Sequence, residues 1–229
     1  MALLQSYGIW NNKGGVGKST LARAIAVVAA RGEIRVKLVD LDVRQQTSTR
    51  WSNTRTAGGL PFPIDAQAYE SLDEALDDVA GYDLIVIDTP GHLTPETFDI
   101  ASSSDIIILP TGTSSDDLYP TTLLLYELEK TGIPKERLSV ALCRLLELRE
   151  EQWARRYIET TGYNALEGSL PERTGYRRAH NRGKSVTETN EAALNERANE
   201  LMASVLRKIL HHVRSSKAGR ATNADIPRR

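Results

Sequence analysis

Short apolar runs alternate with longer amphipathic stretches from one end of the chain to the other. LLQSYGIW (3–10), IRVKLVDLD (34–42), DLIVIDTP (83–90), DIIILPTG (105–112) and LSVALCRL (138–145) read as strands. Most are short, rich in Ile, Leu and Val and nearly continuous in hydrophobicity, as strands buried on both faces are. Helical spacing recurs between them at 18–31, 70–80, 94–102, 116–131 and 149–161. Strand and helix in alternation predict an α/β fold, a mostly parallel twisted sheet with helices on both faces. A final helix over about 190–213 places Leu201, Met202, Val205, Leu206, Ile209, Leu210 and Val213 on one stripe, which packing against the sheet explains better than a membrane face does. Residues 1–214 are expected to form one domain, followed by a basic, polar tail over 215–229 expected to be disordered. That tail has Ile226 as its sole large aliphatic residue and offers no apolar face for an interfacial anchor.

Composition narrows the class. The chain has 229 residues, 40% of them hydrophobic, which suits a globular domain with a substantial core. A single cysteine, Cys143, permits no internal disulfide and sits in an apolar run where a core role is expected. No apolar run reaches the ~20 residues of a membrane span, and the N-terminus lacks the pattern of a signal peptide. A cytoplasmic protein with no membrane partner is expected. The formal net charge of −1 conceals an asymmetry: residues 1–143 carry 12 Lys/Arg against 19 Asp/Glu, residues 144–229 carry 17 against 11. Such a split suggests a basic face that could meet a polyanion.

The chemistry concentrates in NNKGGVGKST (11–20), between the first strand and the first helix. Glycines there let backbone N–H groups turn inward around phosphate oxygens, and the helix N-terminus adds the positive end of its dipole. Gly14, Gly15, Val16, Gly17, Lys18, Ser19 and Thr20 are the expected nucleotide-binding residues, with Lys18 bridging phosphates and the Ser19 hydroxyl on Mg²⁺. The usual first glycine of such a loop would fall at residue 12, which is Asn12, while Lys13 is an extra lysine inside it.

KGGVGKST resembles the deviant phosphate loop of the ParA/MinD family, and the chain as a whole is most similar to small plasmid-partition ParA proteins. The resemblance implies a P-loop ATPase that closes into a homodimer around ATP and Mg²⁺. It also implies that Lys13 reaches the partner subunit's nucleotide, as an arginine finger does. By the same resemblance Asp42, ending VDLD, is the switch I carboxylate that orients the attacking water and lies by the metal. Asp88, ending LIVID, is the Walker B carboxylate holding the Mg²⁺ shell. Asp40 could assist or be structural. Pro171 is placed beside the adenine, and Arg144 is either a neighbour of the base or a surface arginine. No NKxD segment is present to read guanine. The chain departs from the family at Val43 and Arg44, where D-x-D-P-Q is common, and the stretch from Asp40 to Trp51 runs one residue longer.

Arg173, Arg177, Arg178, Arg182 and Lys184 fall in a stretch without acidic residues. In a helix, Arg173/Arg177 and Arg178/Arg182 would be like-charge pairs four apart, which an anion over them would relieve. The resemblance implies nonspecific DNA binding by the ATP-bound dimer, nucleoid association, and release when a ParB-like or other adaptor protein stimulates hydrolysis. Arg207, Lys208, Arg214 and the tail cations could extend the same surface. The alternatives are a MinD-like protein-positioning ATPase, a small-molecule P-loop kinase or ligase, and a non-hydrolysing DNA-binding or scaffold protein. A nitrogenase-type iron protein needs more cysteines than this chain has.

Overall fold

The computed structural model describes residues 5–9, 14–91 and 96–224. Seven parallel strands form one sheet in the order β3-β2-β4-β1-β5-β6-β7. They are β1 (Gln5–Ile9), β2 (Val36–Asp40), β3 (Asp65–Ala68), β4 (Leu84–Asp88), β5 (Ile106–Thr111), β6 (Leu138–Leu145) and β7 (Leu170–Pro171). The helices are α1 (Lys18–Arg31), α2 (Thr47–Ala57), α3 (Leu72–Asp77), α4 (Glu96–Ser103), α5 (Ser115–Lys130), α6 (Leu148–Thr160), α7 (Thr174–His180) and α8 (Ala192–Ala224). Every strand of the sequence reading is present, as is every helix it placed.

Side-chain alternation along the strands divides the core in two. Leu38, Val86, Ile106 and Ile108 face a cluster with α1, Trp51 of α2, Tyr176 of α7 and the buried stripe of α8. Val39, Ile85, Ile87, Ile107 and Leu109 face the opposite cluster, with Ile100, Leu118, Leu124 and Ile158 from α4, α5 and α6. Both sheet faces are thus covered, which is why β2, β4 and β5 are buried at every position.

The stripe of α8 packs as expected through Leu201, Met202, Val205 and Ile209, while Leu210 is exposed. The helix continues to Ala224, past residue 214, so the segment expected to be disordered begins as helix. SSKAGRATNA contains no proline to break the backbone hydrogen-bond ladder, so an established helix can continue through it despite Gly219 and the weak helix formers Ser, Thr and Asn. Residues 225–229 lie outside the described residues. Among the described residues, no helix is long and apolar enough to cross a membrane.

Helix α2, strand β3 and strand β7 are additions to the sequence reading. TSTRWSNTRTA, the sequence of α2, is rich in β-branched and small polar residues and would not hold a helix alone. Asp40 supplies what it lacks: Oδ2 accepts from the backbone N–H groups of Ser48 (2.9 Å) and Thr49 (3.1 Å). The capping carboxylate therefore comes from the end of β2 rather than from the residue before the helix. The far end of α2 is held by Arg55, whose side chain has zero exposure. Arg55 meets Glu188 through two bonds of 2.8 and 3.0 Å and donates to Phe62 O and Gly183 O at 2.8 and 3.0 Å. A further bond goes to Pro61 O. The GKSVTE stretch (183–188) thus serves as a clamp on α2.

Candidate nucleotide site

β1 is the topological switch point: β4 pairs on one side of it and β5 on the other. Ligands of open α/β sheets bind beyond the carboxyl ends of strands at such a point. The glycine-rich loop leaves β1 there and enters α1 at Lys18. Gly17, the residue before the helix, has φ 113° and no side-chain cap, and an added Cβ would stand 3.4 Å from Cys143 Cβ and Sγ. Only glycine takes that backbone conformation without strain, and the start of α1 turns the positive end of its dipole toward the loop, as anion-binding helix N-termini do. Gly14 and Gly15 are exposed, and Val16 is buried. Lys13 lies outside the described residues.

Lys18 is buried, which lowers its pKa, while the negative charges of Asp88 and Asp42 oppose the fall. Lys18 is therefore within electrostatic reach of both carboxylates. Asp88 sits beside Asp40 in the strand register and is almost fully buried. Burial pushes its carboxyl up to about 6, Asp40 adds to the rise, and the Ser48 and Ser19 side chains and Arg23 oppose it. Its Oδ2 accepts from Ser48 Oγ at 2.6 Å, whereas Oδ1 is buried and meets no donor among the described residues. An orphaned carboxylate oxygen next to the phosphate loop is what a hard cation requires, so the residues present fit Mg²⁺. The Ser19 hydroxyl is 3.3 Å from Thr47 Oγ1, a contact between neutral groups that a metal ligand could replace. Asp42 is half-buried, with Oδ1 accepting from Gln45 N at 3.0 Å. Asp40, by contrast, uses both oxygens on backbone N–H groups, those of Asp42, Ser48 and Thr49, and so fixes the turn after β2 and the start of α2. The altered segment after Asp42 turns back through Gln46, whose φ of 47° is left-handed, and Gln46 N donates to Asp42 O at 2.7 Å.

Beside the loop lies a cavity of about 340 Å³ lined by Gly15, Gly17, Thr20, Cys143, Arg144 and Pro171 together with residues of α7. Arg144 stands at an irregularity between β6 and β7, at φ 59°. The irregularity aims its guanidinium across the cavity mouth, where Nη1 donates to Gly15 O (3.2 Å) and Nε to Glu172 Oε2 (3.1 Å). Pro171 and Arg144 thus share the cavity with the phosphate loop. Cys143 is buried in the core as expected, and burial pushes its thiol up to about 12. The sequence reading missed Tyr176 and His180, which line the same cavity. Burial, with the nearby Arg23 charge, lowers His180 to about 4, so it is neutral at pH 7.

The basic cluster divides. Helix α7 covers only Thr174–His180, so Arg173 caps it and Arg182 lies beyond its end, and the expected helical pairs of like charge do not form. Arg173 and Arg177 line the nucleotide-side cavity. Arg178, Arg182 and Lys184 line a different cavity of about 420 Å³, where Arg178 pairs with Glu191 at 3.2 Å. Gly175 lies inside α7 because a Cβ there would come within 2.6 Å of Glu191 Oε1 and Leu194 Cδ1, so its absence lets α7 approach the start of α8. Lys208 is not part of a cationic surface: its Nζ donates to Leu138 O at 2.9 Å, and burial lowers it to about 8.

A phosphate loop at the switch point of a doubly covered parallel sheet, with two carboxylates facing its lysine, defines a P-loop ATPase. The family model for ATPase MipZ matches residues 7–60, from β1 through α2. The chain is 31% identical to maintenance of carboxysome distribution protein A of Gloeobacter kilaueensis over 78% of this chain and 82% of that protein. It is 30% identical to the chromosome-partitioning ATPase Soj of Thermus thermophilus over 48% of this chain and 55% of that one. The septum site-determining protein MinD of Pyrococcus horikoshii, solved with Mg-ADP, superimposes with a TM-score of 0.71 at 18% identity, covering 89% of this chain and 96% of that one. The chain belongs to the ParA/MinD family of ATPases, whose members act in positioning and partition.

Proposed function

We propose that this protein is a nucleotide-gated partition or positioning ATPase that holds nonspecific DNA as an ATP-bound dimer. The observation that carries the reading is the continuity of the site. One cavity joins Gly15, Gly17 and Thr20 to Arg144 and Pro171, and the charges of Asp88 and Asp42 act on the loop lysine, Lys18. A nucleotide laid through it has its base against Pro171 and Arg144 and its phosphates on the loop, where Lys18 and the α1 N-terminus meet their charge. Ser19 and Asp88 hold Mg²⁺, which when bound neutralises charge developing on the phosphates. Asp42 orients the attacking water. Lys13 is the cation supplied to the partner subunit's nucleotide, so that ATP itself joins two copies. The relative named for chromosome partitioning and the one named for carboxysome distribution both support a cycle of this kind.

DNA is held through Arg178, Arg182 and Lys184, with Arg173 and Arg177 nearer the nucleotide. A ParB-like or other adaptor triggers hydrolysis and release, and the protein in its ATP form is nucleoid-associated. The test is binding to an arbitrary-sequence duplex with ATP–Mg²⁺, with ADP–Mg²⁺ and without nucleotide, across a salt series. Binding confined to ATP, with log K falling by about 0.9 per log unit of salt for each phosphate neutralised, is the expected result. Equal binding in all three states refutes nucleotide gating. No binding in any state removes DNA and leaves a positioning ATPase acting on protein.

A further inference from the structure

Behind Asp88 runs a chain of buried polar side chains that the assignments above do not use. Ser48, in the first turn of α2, is fully buried and donates from Oγ to Asp88 Oδ2 at 2.6 Å. Its oxygen accepts from Arg23 Nε of α1 at 3.2 Å. Arg23 is itself buried, with its guanidinium carbon 5.6 Å from the centroid of the Trp51 ring. The direction of these bonds follows from the groups. A guanidinium can only donate, so Arg23 occupies the acceptor side of the hydroxyl and leaves its single proton for Asp88. The bond from Ser48 N to Asp40 Oδ2, at 2.9 Å, fixes the backbone that carries it. Asp88 is thereby gripped by one oxygen while the other, Oδ1, is left without a donor among the described residues.

We infer that Arg23 and Ser48 are positioning residues for Asp88, orienting its carboxylate so that Oδ1 faces the divalent cation. Groups bonded to metal ligands fix their orientation, and losing one commonly costs ~10–100-fold in metal affinity or activity. Because Ser48 stands two residues after Gln46, the end of the segment that begins at Asp42, the same hydroxyl ties the water-orienting segment to the metal carboxylate. A rotated or displaced α2 would release Asp88, so the cation site is complete only when that segment is in place. The inference rests on the reading of Asp88 as the metal carboxylate.

The test measures binding of a fluorescent ATP analogue as MgCl₂ is titrated, for wild type, Ser48→Ala, Ser48→Cys and Arg23→Met, with a nucleotide-free melting curve for each. Ser48→Ala is expected to raise the half-saturating Mg²⁺ concentration about tenfold, while affinity at saturating Mg²⁺ stays within about twofold. Ser48→Cys keeps the shape with a weak S–H donor and is expected to fall between, which covers the case in which the alanine variant does not fold. Arg23→Met, which frees the hydroxyl to turn away, shifts the midpoint in the same direction by less. A Mg²⁺ midpoint unchanged in both Ser48 variants overturns the inference, as does a fall in melting temperature and in EDTA-state nucleotide affinity with no change in midpoint. A wild-type protein whose binding ignores Mg²⁺ overturns the metal reading of Asp88 as well.

Discussion

Replacing Glu188 with glutamine removes a charge and almost no volume, and the structure indicates how much that costs. Arg55 has five N–H donors, and all five are used: two on Glu188 and one each on the carbonyls of Phe62, Gly183 and Pro61. Its side chain has zero exposure and that of Glu188 is 10% exposed. Removing one partner of a buried pair strands the other charge at a cost of ~3–5 kcal/mol. The lower end applies here, because the glutamine carbonyl can still accept one of the two bonds. At ~2–4 °C per kcal/mol for a chain of this size, the melting temperature falls by ~6–12 °C. Circular-dichroism melts at pH 7 read this directly, and the pH dependence supplies a control. Burial alone would raise the Glu188 pKa, but the bonds from Arg55 and Ser185 N and the charges of Arg55 and Arg31 outweigh it and leave it lowered. A carboxyl with a depressed folded value contributes stability above its unfolded pKa and loses it as the pH falls through the folded one. The gap between wild type and Glu188→Gln should therefore be full at pH 7 and narrow below about pH 4. A loss under 2 °C at pH 7, or a gap that ignores pH, would refute the account of the clamp.

Asp42→Ala should retain nucleotide affinity within about threefold and lose most ATP turnover; turnover at the wild-type rate would sink the assignment of Asp42 to the attacking water. Charge reversal at Arg178, Arg182 and Lys184 should weaken duplex binding and flatten its salt dependence while ATP affinity holds. Reversal at Arg177 alone should weaken nucleotide binding, and an unchanged affinity there would remove α7 from the site. Cys143 should react with a thiol reagent only slowly in the folded protein and promptly after denaturation, since it is buried and burial pushes its thiol up to about 12.

The sheet was legible because most of its strands are nearly continuous in hydrophobicity and its phosphate loop is a local motif. The elements that escaped notice are those whose cause is distant in sequence. α2 has almost no apolar stripe, with Trp51 its one large buried apolar residue, and its N-terminus is capped by Asp40 from the previous strand. β3, DAQA, is an edge strand with half its positions exposed, so it needs little hydrophobicity. At the site, the roles proposed for Lys18, Asp42 and Asp88 come from the resemblance of KGGVGKST, VDLD and LIVID to the family's motifs, with Asp42 two residues past β2 and Asp88 the last residue of β4. Ser48 and His180 could not be read, since no motif marks a serine or histidine that burial makes significant. The basic stretch was visible as composition, but its division between two cavities depends on where a seven-residue helix starts and stops.

That short helix has a thermodynamic consequence. Arg177 and Arg178 are adjacent residues about 100° apart around the axis of α7, one at the nucleotide-side cavity and the other at the cavity proposed for DNA. Ligands bound in the two cavities would therefore meet a common wall one helix thick. If filling the first cavity displaces that wall so that DNA is held tighter, linkage requires DNA to tighten the hold on ATP by the same factor. Each ligand then acts as the other's effector, and the DNA dependence of ATP affinity measures the coupling as directly as the ATP dependence of DNA affinity.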